Sequence, residues 1–274
     1  MYYRHNLDYK YPERTDEHMI VVKKKRCIKF DGDYPYLQTA WWFKIVRGIY
    51  WLLLNLIIFP LMNITHGLKI YGKENLKKNK RLLKNGVITI SNHVFMWDYL
   101  AVLKAIRPRL AYVPVWKDNI EGGFGLGMRM SGGIPIPTES HRGMVEFKKA
   151  MDKLFLSKKC VHFFPEGSMW FFYPDIRPLK KAVFNYAVKY DKPILPITMS
   201  FRDRRGLLKL FGKTPMIDLH IGEFLYPNKN LPPKEAEIEL HKTAYHVMQK
   251  MNGINVGDPT YNEDYLGKNY QKTM

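Results

Sequence analysis

His93 and Asp98 are the residues in this chain whose types and placing most directly suggest chemistry. An imidazole titrates near neutrality and can take a proton from a hydroxyl. A carboxylate bonded to its other ring nitrogen fixes the tautomer and stabilises the imidazolium that forms. The two lie five apart in Ser91-Asn92-His93-Val94-Phe95-Met96-Trp97-Asp98. On a continuous helix such residues diverge by about 140°, so their side chains would not meet. The spacing therefore predicts that His93 precedes a helix and Asp98 lies within it. Alone the pair is a weak signal, because a capping histidine and a surface aspartate give the same pattern. Phe164-Pro165-Glu166-Gly167-Ser168 strengthens it: a carboxylate stands beside an apolar run, and Gly167 permits a tight turn.

Both clusters need elements to bring them together, and the sequence supplies them. Gly86-Val87-Ile88-Thr89-Ile90 is a β-branched run suited to a buried strand, and Val161-His162-Phe163-Phe164 is another. Residues just after the C-terminal ends of such strands face the ligand crevice of an α/β sheet. Further strands are expected at Leu68-Lys69-Ile70-Tyr71, as an edge, at Ala111 to Val115, Ile134 to Pro137 and Ile194 to Met199, and late at Ile217 to Ile221. The proline-bearing ones suit sheet edges or strand ends. Apolar spacing predicts covering helices from about His141 to Leu156, about Leu179 to Tyr190 and Pro232 to Asn252, the last stopped by Gly253. The Lys-rich stretch between Tyr71 and Gly86 reads as a solvated loop. The fold class is therefore α/β, a mixed, mostly parallel sheet flanked by helices.

Upstream, Trp41 to Ile64 is strongly apolar, with an uncharged run from Gly48 that Asn55 and Pro60 interrupt. That run is about 17 residues, the lower bound for a transmembrane helix. Lys44, Arg47, the tryptophans 41, 42 and 51, and the Lys23 to Arg26 run resemble a membrane-surface anchor. An interfacial or half-inserted helical hairpin is the preferred reading over a full span, with a buried core helix as the bland alternative. The domain boundaries that follow are a polar basic segment 1–35, a membrane-associating segment 36–66, a catalytic domain 67–253 and a polar tail 254–274.

With 44 Lys+Arg against 25 Asp+Glu, net +19, the chain must present broad positive surface to an anionic partner. Charge and aromatic content leave nucleic acid and anionic lipid both open, but the apolar segment selects the lipid surface, so no nucleic-acid partner is expected. Location at the cytoplasmic face of a membrane follows from the polar start of the chain and from Cys27 and Cys160, which suggest neither a disulfide framework nor a thiolate site. The scattered histidines suggest no metal site. The glycines from Gly122 to Gly127 lack phosphate-loop spacing and read as loop and close packing.

The two clusters together resemble the glycerolphosphate and lysophosphatidate acyltransferase family, whose first motif is Asn-His-x4-Asp and whose third is Phe-Pro-Glu-Gly-Thr/Ser. The resemblance runs from about Leu68 to Ser200 and includes Lys69-Ile70-Tyr71-Gly72-Lys73-Glu74-Asn75-Leu76, then Gly132-Gly133-Ile134-Pro135-Ile136-Pro137 as the second block and Pro193-Ile194-Leu195-Pro196-Ile197 as the fourth. It implies His93 as general base, Asp98 as its orienting carboxylate, and Glu166, Gly167 and Ser168 at the acceptor side, with Asn92 and Ser168 supporting turns. It implies transfer of a fatty acyl group from acyl-CoA or acyl-carrier protein to a lysoglycerolipid hydroxyl, with 1-acylglycerol-3-phosphate the favoured acceptor and no bound cofactor. Glycerol-3-phosphate or another lysolipid stays open as acceptor, and a non-catalytic lipid-binding protein of the same fold is the rival.

Two departures concern the acceptor's phosphate. The family's second block usually ends in Arg, where Thr138 stands here, and its third continues with Arg, where Met169 stands. Guanidinium matches phosphate geometry, so other cations must substitute if the acceptor carries one. Arg177 is the first choice, with Arg142 and Lys180 next and Lys181, Arg129 and Lys117 behind. The aromatic run Trp170-Phe171-Phe172-Tyr173-Pro174 reads equally as an acyl-channel lining or a buried corner.

Overall fold

The computed structural model describes residues 9–253 except Asp16. The tail 254–274 lies outside the described residues. Seven strands form one sheet: β1 (Lys69–Tyr71), β2 (Ile88–Ser91), β3 (Ala111–Trp116), β4 (Gly133–Ile136), β5 (Cys160–Phe163), β6 (Ile194–Arg202) and β7 (Met216–Ile221), in the order β1-β7-β6-β2-β5-β3-β4. Only the β6–β7 pairing is antiparallel. The sheet is thus mixed and mostly parallel, as its short apolar strands separated by helices predict.

Alternation along the strands divides the core in two. Leu195, Ile197, Met199 and Phe201 join the cluster under the helices Trp41–Thr65 and Asp98–Ala105, and Ile88, Ile90, Val161 and Ile194 join that under His141–Leu156, Ala182–Lys189 and Pro233–Met251. Each face of a buried parallel sheet needs such a cover. The helix His141–Leu156 has the expected bounds and is capped by Ser140 Oγ, which accepts from the Gly143 N–H at 3.0 Å.

Three expectations are corrected. The Lys-rich stretch is not a loop: it forms the helices Lys73–Lys78 and Lys80–Lys84, anchored by buried Leu76 and Leu83. Pro196 lies in an interior strand, not at a sheet edge. Its carbonyl accepts from the Gly222 N–H at 2.9 Å, so its nitrogen faces the side where β7 has just ended at Ile221, and no ladder bond is forfeited. The apolar segment is one helix, Trp41–Thr65, that runs through a π-helical turn at Leu54–Ile58 rather than reversing as a hairpin. Pro60 sits in the first turn after that π segment, where the widened hydrogen-bonding pattern accommodates its missing N–H.

Candidate active site

β2 is the central strand and β5 its parallel neighbour, with Ile90 opposite Phe163. Carrying that register three residues beyond the Ile90–Phe163 pair sets His93 beside Glu166. Two segments distant in sequence therefore emerge at the same sheet end, and the backbone N–H of His93 donates to Glu166 Oε2 at 3.0 Å.

The His93 loop has the predicted arrangement. The helix starts at Asp98, His93 precedes it, and the intervening turn brings Nδ1 to 2.6 Å from Asp98 Oδ2. Asp98 is fixed in turn. Its Oδ2 also accepts from the Val94 N–H at 3.1 Å and its Oδ1 from the Tyr99 N–H at 2.7 Å, so the carboxylate serves both the imidazole and the helix start. The ring stacks on Phe164 with centroids 4.0 Å apart and its side chain is 24% exposed. Nε2 is then the nitrogen left for a substrate proton.

Asn92 locks the loop to the neighbouring strand: its amide donates to the Met199 carbonyl at 2.9 Å and accepts from the Met199 N–H at 2.8 Å. From the other side Trp170 N–H donates to the His93 carbonyl at 3.0 Å and Phe172 N–H to that of Val94 at 2.7 Å. Trp170 and Phe172 are themselves buried, against Tyr11 and Phe201 among others. Trp170 and Phe172 of the aromatic run thus form a buried corner that backs the His93 loop, the second of its two readings.

Glu166 and Arg177 are buried together and bonded to each other. Glu166 is 2% exposed and Arg177 likewise, and Arg177 Nη2 donates to Glu166 Oε2 at 2.7 Å while the Arg177 N–H donates to Oε1 at 2.9 Å. Arg177 Nη1 reaches Ser168 Oγ at 2.7 Å and the Thr15 carbonyl at 3.2 Å, Nη2 also donates to the Ser168 carbonyl, and the guanidinium lies 4.5 Å over Trp170. Burial pushes the Glu166 carboxyl up, with Arg177 and the backbone N–H groups of His93 and Arg177 opposing that shift. In this structure Glu166 braces the His93 backbone, and both terminal nitrogens of Arg177 are taken up by protein groups while its Nε has no hydrogen-bond partner among the described residues. Ser168 is buried in the same network.

The other candidates separate. Gly167 has φ +82°, and a Cβ there would come within 2.6 Å of Lys180 Nζ, so the glycine both makes the turn and admits the lysine. Lys180 is exposed beside the motif. Arg142 is exposed on the first turn of its helix, next to Gly32, without a hydrogen bond or ion pair among the described residues, and is not part of the cluster. Arg129 holds the Tyr36 and Gly133 carbonyls, both at 3.0 Å, and Lys117 pairs with Glu139 at 2.5 Å.

Sequence reasoning missed the N-terminal stretch that lies on this site. The Thr15 carbonyl accepts from Ser168 Oγ at 3.1 Å, that of Glu17 from Trp170 Nε1 at 3.0 Å, and Tyr11 Oη donates to the Phe171 carbonyl at 2.9 Å. His18 stacks on Trp116 with centroids 4.5 Å apart. Burial, and then the charges of His93, Lys180 and Arg177, push its imidazole down. The signal available was the recurrence of Tyr9, Tyr11 and His18 in an otherwise polar segment. Also missed was buried His162, held by Thr89 Oγ1 at 2.9 Å and Ser91 Oγ at 3.3 Å and pushed down to about 3 by desolvation.

Residues 67–200 match the family model described as Acyltransferase, a stretch that spans both motif clusters. Among curated proteins, one described only as an uncharacterized protein of Aquifex aeolicus is 30% identical over 178 residues. That match covers 62% of this chain and 41% of the relative, so the chain spans well under half of that protein's length. A solved structure, the 1-acyl-sn-glycerophosphate (LPA) acyltransferase PlsC from Thermotoga maritima, aligns over 76% of this chain and 89% of its own with 18% identity and a TM-score of 0.47. That likeness is too loose to bring an activity with it.

Proposed function

We propose that this protein transfers a fatty acyl group from the thioester of acyl-CoA or acyl-carrier protein to the hydroxyl of a lysoglycerolipid at a membrane surface, with 1-acylglycerol-3-phosphate the favoured acceptor. One observation carries the reading: the 2.6 Å bond between His93 Nδ1 and Asp98 Oδ2, made on a loop that β2, β6 and the Glu166 turn all hold in place. Asp98 keeps the proton on Nδ1 and so leaves Nε2 basic. Nε2 takes the acceptor's hydroxyl proton as its oxygen bonds to the thioester carbonyl carbon. Collapse of the tetrahedral intermediate breaks the C–S bond, and the departing sulfur takes the proton from the imidazolium. The products are an ester and a free thiol, with no acyl-enzyme. Ser91 and Ser168 are fully buried and hydrogen-bonded, and burial pushes the Cys160 thiol up, so none is poised as a nucleophile.

With Arg177 engaged, Lys180 is the cation that supports a phosphate-bearing acceptor, because it is exposed over the Gly167 turn. The test supplies the purified full chain with acyl-CoA or acyl-carrier protein and a panel of lysophosphatidate, glycerol-3-phosphate and neutral lysolipids, with products identified by mass. Acylated lysophosphatidate with stoichiometric thiol is the expected result. Lipid binding without turnover of either donor would make the protein a non-catalytic lipid binder.

A further inference from the structure

The helix Trp41–Thr65 is fastened to the α/β unit along most of its length. Arg47 Nε donates to the Met130 carbonyl at 3.0 Å, Tyr50 Oη pairs with Ser131 Oγ at 3.0 Å, and Arg107 Nη1 donates to Asn55 Oδ1 at 2.9 Å. Further on, Lys104 Nζ donates to the Phe59 carbonyl at 2.6 Å and Arg204 Nη2 to the Thr65 carbonyl at 2.6 Å. From Arg47 to Thr65 these contacts run for about 27 Å at the rise of an α-helix. The opposite face is bare and apolar: Trp41, Ile45, Ile49, Leu52, Leu56 and Ile64 are all exposed. A contiguous exposed apolar stripe of this length is the mark of a surface that something covers.

Neighbouring elements extend the stripe. Beside its first half the helix Gly125–Ser131, whose Gly127 faces Tyr50, exposes Leu126, and Phe124 just before it is 84% exposed. Beyond its last turn, which Arg204 anchors, the short 3-10 helix Gly206–Phe211 exposes Leu207, Leu210 and Phe211 among the exposed cations Arg205, Lys209 and Lys213. No acidic residue occurs between Trp41 and Thr65. Apolar side chains set among cations, along a helix that carries no acid, match an anionic lipid surface.

We propose that Trp41–Thr65, Phe124 with Leu126, and Leu207, Leu210 and Phe211 form one docking face for an anionic bilayer, on which the long helix lies in the membrane plane and does not cross it. A crossing helix would draw Arg47, Lys104, Arg107 and the adjoining sheet into hydrocarbon, where charged groups are costly. An in-plane helix leaves them on the aqueous side. The proposal deepens the membrane reading above and does not depend on the acyl-transfer chemistry.

The experiment uses the full chain with Cys27→Ser, which removes the exposed native thiol. Single cysteines replacing Ile45, Leu56, Ile64 or Leu210 carry a fluorophore, and vesicles of phosphatidylcholine with or without phosphatidylglycerol carry quenchers at graded depths. The expected result is binding that needs phosphatidylglycerol, with one shallow depth for all four positions. A second variant, Leu207→Ser with Leu210→Ser and Phe211→Ser, changes only exposed side chains and should weaken vesicle binding by about tenfold or more. Vesicle binding with Leu56 deepest, or with Leu210 unquenched, overturns the in-plane face while leaving membrane association intact. Absence of any vesicle binding overturns both.

Discussion

The carboxylate of Glu166 accepts a hydrogen bond from the backbone N–H of His93 at 3.0 Å. A third-motif residue thus acts on the first motif's backbone, and its charge is held in turn by Arg177. The pair braces the loop that carries His93.

Removing one partner should therefore be worse than replacing both. Arg177→Ala or Glu166→Ala leaves a buried charge alone and should cost about 3–5 kcal/mol, read from urea unfolding. A double replacement by apolar residues of similar size should recover much of that loss. At the level of kinetics, Arg177→Ala should lower kcat for phosphate-bearing and neutral acceptors alike. A KM increase confined to phosphate-bearing acceptors would return Arg177 to the role expected from sequence.

Lys180→Ala should show that selective pattern. The side chain is exposed, so stability should change by less than about 0.5 kcal/mol, while KM for lysophosphatidate rises and that for a neutral lysolipid does not. Equal effects on both acceptors would remove Lys180 from phosphate binding.

Asp98→Asn keeps the side chain's size but no longer fixes the imidazole tautomer or stabilises its charged form. Acyl transfer should fall by a factor on the order of 10²–10⁴, followed by thiol release under saturating substrate. Because Asp98 also accepts two backbone N–H groups at the helix start, Asp98→Ala should cost a further ~1 kcal/mol of stability.

Acid should destabilise the fold through its buried histidines. His162 is pushed down to about 3 by desolvation, with His66, His220 and His241 pushed in the same direction. A histidine whose folded pKa is depressed binds its proton more readily when unfolded. The stability is present above the unfolded value near 6.5 and is lost as pH falls from there toward 3, at up to about 1.4 kcal/mol per pH unit for His162. Urea unfolding at several pH values should show this slope, and His162→Gln should reduce it by close to one proton.

The sheet was largely legible because each strand is a short apolar or alternating run bounded by loop residues, and the His93–Asp98 geometry followed from helical angles alone. The Lys73–Lys84 helices were not, since each is about a turn and a half, too short for periodicity to show. The role of Arg177 escaped for a different reason. Sequence places a guanidinium near the motif but not the buried carboxylate that engages it, and that pairing is set by tertiary packing. Tyr9, Tyr11 and His18 recur without a helix or strand period, because the contacts made there run to residues about 150 positions away or, for His18, to Trp116.

The most direct measurement is acyl transfer by purified His93→Ala protein beside the wild type, with lysophosphatidate as acceptor, saturating acyl-CoA, and product and thiol both quantified. The expected result is a folded, vesicle-binding variant whose turnover is lower by a factor of about 10³ or more. A variant that acylates lysophosphatidate at the wild-type rate would contradict His93 as the base.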